Sequence, residues 1–252
     1  MQLFSKRRQT PRQKEGFPTF ESFSRLKKIS DDLGQDILRS GSGNIVSRDG
    51  HLLTASHVVP KRSKVLVLFR KQLFEAKILK RCEDHDALLL HIKSDKTKKF
   101  PYALVTKCDY TLGQPVYFIG YPVPDSLGIH PRFTASHINS AEGYCADESR
   151  FTITADPADG SSGSAVFNTR GEVIGIVSAS LFAAGRNADK FPSNICFCAK
   201  AQSFLNVFAK HLPQGKCSNN QKRDRQETIN SAAETSVLIL AFSDNAQTRR
   251  GS

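Results

Sequence analysis

The chain has 252 residues, of which 39% are hydrophobic, and a formal charge of +12. That length admits one large or two small domains with a real core, which excludes a fibrous or wholly disordered chain. No apolar run approaches the ~20 residues needed to cross a bilayer, while the charge raises the question of an acidic partner.

Residues 1–16 carry many charges and few apolar anchors and are expected to form a disordered basic tail. The basic start Met1–Arg8 has no long apolar segment behind it, so it does not read as a Sec signal peptide. A solvated tail is preferred to an organelle-targeting leader, with organelle or non-Sec delivery left open. Phe20, Phe23, Leu26, Ile29, Leu33 and Ile37 recur every three or four positions, which predicts an amphipathic helix interrupted near Gly34.

From Asn44 the pattern changes to short apolar runs separated by turn residues, as in an all-β barrel or sandwich. The first set is Ile45 to Ser47, Leu52 to Ala55, Val65 to Phe69, Leu73 to Leu79 and Ala87 to Ile92, with Arg48-Asp49-Gly50 as a hairpin turn. Lys93 to Pro101 is a charged connector. The second set is Pro115 to Gly120, Phe133 to Ile138, Phe151 to Thr154, Ser164 to Phe167, Val173 to Ser178 and Ile195 to Ala199. A helix follows over Ala201 to His211. Residues 213–252 are polar and charged and are expected to be disordered, with Val237 to Phe242 as an apolar patch in that tail.

Three segments carry chemistry. In Asp156-Pro157-Ala158-Asp159-Gly160-Ser161-Ser162-Gly163-Ser164, glycines flank a serine just before a buried strand. They let the N–H groups of Gly160 and Ser162 point at one spot beside the Ser162 hydroxyl, forming an oxyanion hole. A serine hydroxyl needs a base, and the base an orienting acid. Thr54-Ala55-Ser56-His57 and His85-Asp86, each beside an apolar run, offer both. Alone, Gly-Ser-Ser-Gly-Ser is a turn; the order His, Asp, Ser makes it a candidate site. Asp86 is preferred to Asp84 because it abuts the apolar run. Ser162 is preferred to Ser161 because only Ser162 has glycine at both minus two and plus one. His85, His91 and His137 are assigned to surface or packing, and Asp159 to the turn.

These segments resemble the histidine, aspartate and Gly-x-Ser-Gly-Gly motifs of chymotrypsin-fold serine proteases. Gly41-Ser42-Gly43-Asn44-Ile45-Val46 and Gly171 to Ser178 are closest in pattern to HtrA/Do-like peptidases. The likeness runs over roughly residues 35–212, and Ser164 departs from it where the motif ends in glycine. It implies two six-stranded antiparallel β-barrels, at about 40–93 and 101–200, within a protease domain at 17–212 that has an N-terminal and a C-terminal helix. It implies a serine endopeptidase acting on proteins or peptides through His57, Asp86, Ser162 and an acyl-enzyme, with no metal or organic cofactor. Ser178, Ala179 and Ser180 would bind an extended substrate by main-chain bonds, the Ser178 hydroxyl lying near Asp86. Asp156, six residues before Ser162, would select Arg or Lys if the trypsin-like loop length holds; an exposed loop Asp is the alternative. Leu181 to Lys190 would be a mobile loop at the pocket rim. A PDZ domain, frequent after HtrA-like proteases, has no room here.

The six cysteines, Cys82, Cys108, Cys145, Cys196, Cys198 and Cys217, do not flank His57 or Ser162, where secreted trypsin-like enzymes place bridges. With no Sec signal, this predicts a cytoplasmic or other reducing compartment. Cys196 and Cys198 are expected to face opposite sides of a strand, so no zinc site is assigned. The basic surplus, including Lys61, Arg62, Arg70, Lys77, Lys80, Arg81 and Lys96, lacks interleaved aromatics and reads as a solvated face. Two rival readings are a catalytically silent peptide-binding protein of this fold and a basic binder of nucleic acid or membrane surface.

Overall fold

The computed structural model describes residues 19–95, 97–156, 158–178, 194–212, 215–216 and 224–243. In chain order they form α1 (Thr19–Leu33), β1 (Ile37–Ile45), β2 (His51–Ala55), β3 (Ser63–Phe69), β4 (Gln72–Cys82), β5 (Ala87–Ile92), β6 (Thr106–Lys107) and β7 (Pro115–Gly120). Then come α2 (Pro124–Leu127), β8 (Arg132–Ser140), β9 (Arg150–Thr154), β10 (Ala165–Asn168), β11 (Val173–Val177), β12 (Ile195–Lys200), α3 (Ala201–Phe208), β13 (Gly215–Lys216), α4 (Arg225–Thr235) and β14 (Ser236–Ser243).

Two closed barrels result, ordered β1-β14-β3-β4-β5-β2 and β10-β11-β12-β9-β8-β7. Each has six strands, every pair antiparallel. Alternation along each strand sorts the side chains. In β5, Leu88, Leu90 and Ile92 fill the first barrel, while Ala87 and Leu89 join the core where the barrels and α3 meet. Both faces of β5 are covered, so this strand reads as a continuous apolar run rather than an alternating one.

The same burial explains a correction. Residues 225–243, expected within a disordered tail, form α4 and β14, and β14 closes the first barrel. Its residues Ser236 to Ser243 pair with β1 on one side and β3 on the other. Val237 and Ile239 point into the barrel, and Leu238, Leu240 and Phe242 pack beneath α1 with Leu26 and Ile29. The Val237–Phe242 patch is thus a strand buried on both faces. Asp224 caps α4, its carboxylate accepting from the Gln226 and Glu227 amides.

The helix expected over 20–37 ends at Leu33, and Ile37 instead opens β1; the side chains of Phe20 and Phe23 lie outside the described residues. So do residues 1–16, Leu181 to Lys190 and Cys217. Cys196 and Cys198 both enter the second barrel's interior, correcting the expectation that they diverge. Residues two apart on a strand share a face. Among the described residues, no helix is long and apolar enough to cross a membrane.

Candidate active site

The barrels meet where β1, β2 and β14 of the first pack on β7 and β11 of the second, and the candidate residues come from both sides. After β2 the chain makes a single 3₁₀ turn, Ser56–Val58, that carries His57. After β4 it turns at residues 83–86, with the Asp86 amide donating to the Glu83 carbonyl at 3.0 Å. This brings Asp86 under the histidine. Asp86 is buried while Asp84 is exposed, which separates the two candidate acids.

His57 Nδ1 lies 2.8 Å from Asp86 Oδ2, and the His57 amide donates to Oδ1 at 3.0 Å. The Ser178 hydroxyl, fully buried at the end of β11, donates to Oδ2 at 2.5 Å. Burial pushes the Asp86 carboxyl upward, but the hydrogen bond and charge of His57 and the Ser178 bond outweigh it, holding the carboxyl below its ordinary value. An ionised Asp86 only accepts, so Nδ1 carries the proton and the His57 Nε2 lone pair is left free.

Ser162 stands on the opposite wall. Its carbonyl accepts from the Ser42 amide of β1 at 2.8 Å. Gly163 packs so closely on the end of β2 that a Cβ there would lie 2.2 Å from both the Ser42 carbonyl and Thr54 Oγ1, and 2.8 Å from the Ala55 amide. Only glycine permits that approach. Its φ of +84° adds a second reason. Ser162 is thereby seated beside the segment leading into His57. It is partly accessible, whereas Ser161 is buried, and this distinguishes the neighbouring serines.

The preceding turn has its own supports. The Ser161 amide donates to the Ala158 carbonyl at 3.0 Å, with Gly160 at φ +89°. Ser42 Oγ donates to the Gly160 carbonyl at 2.7 Å, and the Val123 amide to the Asp159 carbonyl at 2.5 Å. These bonds hold the carbonyls, while the Gly160 and Ser162 N–H groups donate to nothing among the described residues. Ser164 packs fully buried against Gly120, but its hydroxyl finds no partner among the described residues.

The expectations for specificity fare differently. Asp156 is exposed just beyond β9 and is no buried anion at a pocket floor. This exposed setting matches the alternative of an exposed loop Asp. Ala179 and Ser180 lie outside the described residues. No group of three or more His, Cys, Asp or Glu side chains could hold a metal ion among the described residues.

Three arginines near the site were not singled out from the sequence. Arg81, expected on a solvated basic face, is mostly buried and donates to the Ser56 and Val59 carbonyls at 2.7 and 2.8 Å. Arg39 donates to the His57 carbonyl at 2.8 Å. Arg150, buried at the start of β9, donates to Ser178 Oγ at 3.2 Å. Nothing in their local sequence separates them from the other basic residues; their partners are distant in the chain.

Comparison with known proteins agrees with this architecture. Residues 41–176 match the model of the trypsin-like peptidase domain. The chain is 24% identical over 220 residues to the serine endoprotease DegS of Haemophilus influenzae, covering 86% of this chain and 63% of that protein. It is 33% identical over 147 residues to a Hahella chejuensis protein named "probable periplasmic serine endoprotease DegP-like", covering 56% and 30%. The chain therefore spans less than two thirds of the length of these relatives. The apo MamO protease domain of Magnetospirillum magneticum superposes with a TM-score of 0.51 at 24% identity, over 69% of this chain and 88% of that one, and shares the fold. The expected cytoplasmic compartment is corrected by these matches, since the Hahella relative is periplasmic by name.

Proposed function

The chain belongs to the trypsin-like peptidase domain family, and on that premise we propose that it is a serine endopeptidase acting through His57, Asp86 and Ser162. The observation that carries this reading is the 2.8 Å contact of His57 Nδ1 with the buried Asp86, whose lowered carboxyl accepts from Nδ1 and leaves Nε2 as the acceptor the reaction needs.

In the proposed reaction Ser162 Oγ attacks the carbonyl carbon of a peptide bond while its proton passes to His57 Nε2. The Gly160 and Ser162 N–H groups receive the oxyanion, each worth about 3 kcal/mol in comparable sites. Collapse of the intermediate breaks the C–N bond, and the leaving amine takes the proton from Nε2. Water, deprotonated by the same imidazole, then hydrolyses the ester and restores Ser162. Asp86 keeps the imidazole in the required tautomer. Ser178 is proposed to contribute main-chain bonds to an extended substrate, together with Ala179 and Ser180.

A fluorophosphonate probe tests the reading, because it needs an activated serine and no knowledge of the substrate. Labelling of the native chain that disappears in Ser162→Ala and in His57→Ala supports it. A native chain that resists the probe while binding peptides would favour the silent peptide-binding alternative.

A further inference from the structure

Asp86 is supported from behind by a buried arginine. Arg150 opens β9, in register with Ala199 of β12, and β12 separates it from β11. Its guanidinium spans that strand, with Nε 3.1 Å from Asp147 Oδ2 and Nη1 3.2 Å from Ser178 Oγ. A charge this buried is tolerated when paired, and Asp147 supplies the pair. Burial raises the Asp147 carboxyl, but bonds from Ser149 and then Arg150 outweigh it and leave it low. The Cys198 thiol is pushed up by burial, which outweighs the opposing charge of Arg150, and stays neutral.

We infer that Arg150 is a positioning residue for the proposed triad, holding the Ser178 hydroxyl in the orientation that donates to Asp86. The reason is a count of protons. A guanidinium only donates, so toward Arg150 the Ser178 oxygen must accept. Its single proton is then free for Asp86 Oδ2, where the 2.5 Å contact lies. The chain from Arg150 through Ser178 to Asp86 has one polarity, with the carboxylate as its final acceptor. Without Arg150 the hydroxyl can rotate to another acceptor, and Asp86 loses a donor that helps keep it ionised and fixed beneath His57. The local site is also more negative without the guanidinium, which favours protonation of the base.

This inference rests on the hydrolase reading, so the test includes one readout that does not need turnover. Arg150→Met, Arg150→Lys, Ser178→Ala and the Arg150→Met/Ser178→Ala double variant are compared by thermal melting, by fluorophosphonate labelling rate against pH, and by the downfield proton resonance of His57 Nδ1–H. Arg150→Met is expected to slow labelling about tenfold, the worth of one charge-assisted hydrogen bond. It should also move the acid limb of the profile to higher pH and shift or broaden the Nδ1–H signal. Arg150→Lys should restore part of the rate, and the double variant should be no slower than Ser178→Ala. A lower melting temperature with unchanged labelling rate per folded molecule, unchanged profile and unchanged Nδ1–H signal would make Arg150 merely structural and overturn the inference. Independent, additive effects of Arg150→Met and Ser178→Ala would overturn it too. Failure of the native chain to label at all sinks the hydrolase reading instead, and the Nδ1–H signal then still decides whether Arg150 orders His57 and Asp86.

Discussion

The side-chain amide of Asn44 accepts from the Ala165 backbone N–H across the barrel interface, at 2.9 Å. Its Nδ2 donates in turn to Thr235 Oγ1 and Ser236 Oγ, both at 3.1 Å. One buried residue of β1 thus joins the first barrel, the strand that follows Ser162, and the junction of α4 with β14.

Asn44→Ala leaves the buried Ala165 N–H without its acceptor, while the Thr235 and Ser236 hydroxyls keep their bonds to the Ala232 carbonyl. The loss is expected to be about 1–3 kcal/mol, the cost of one abandoned buried polar group. Urea unfolding of the variant against the native chain measures it.

Deletion of residues 225–252 is expected to abolish folding of the first barrel, and with it any labelling of Ser162. Val237, Leu238, Ile239, Leu240 and Phe242 are fully buried. At about 1.5–3 kcal/mol each, their burial is comparable to the whole net stability of a domain. The milder Ile239→Ala should cost about 2–5 kcal/mol without changing the labelling rate of folded molecules. Circular dichroism and thermal melting distinguish the two outcomes.

Asp86→Asn should slow labelling about 10⁴-fold at neutral pH, because an amide can donate to Nδ1 and so favour the wrong tautomer. Its effect on stability has a definite sign. The native carboxyl is held below its ordinary value, so its contribution is present above the usual carboxylate range and is lost as pH falls through the lowered folded value. Stability of the native chain should therefore fall at strongly acidic pH, and Asp86→Asn should remove that part of the slope. Denaturant melts from pH 7 to pH 3 test this.

Ser164→Ala should be neutral or stabilise the chain by about 1 kcal/mol, because the hydroxyl is buried without a partner among the described residues. A loss of more than that on thermal melting would mean the hydroxyl has an acceptor.

Gly163→Ala should be far worse than any substitution at Ser164. The added methyl would meet backbone atoms of Ser42 and Ala55, which cannot move aside singly. Loss of labelling with a lowered melting temperature is expected.

The catalytic candidates were legible in the sequence because each sits in a short segment whose residue types have a chemical reason to occur together. The strands of the second barrel were equally legible, since turn residues punctuate short apolar runs. What lay beyond reach were relationships between distant segments. A serine, a histidine and an aspartate in the right order say nothing of Arg150 or Arg81, whose roles depend on which carbonyl or hydroxyl each meets after folding. Nor does a polar stretch followed by Val237–Phe242 announce a barrel strand. Its two covering surfaces, the barrel interior and α1, come from the opposite end of the chain. Local sequence carries the propensity and chemistry of a segment, whereas burial on both faces exists only once remote segments have packed. For that reason the residues at 57, 86 and 162 could be proposed as candidates from the chain alone, while the strand that closes the first barrel was decided by tertiary structure.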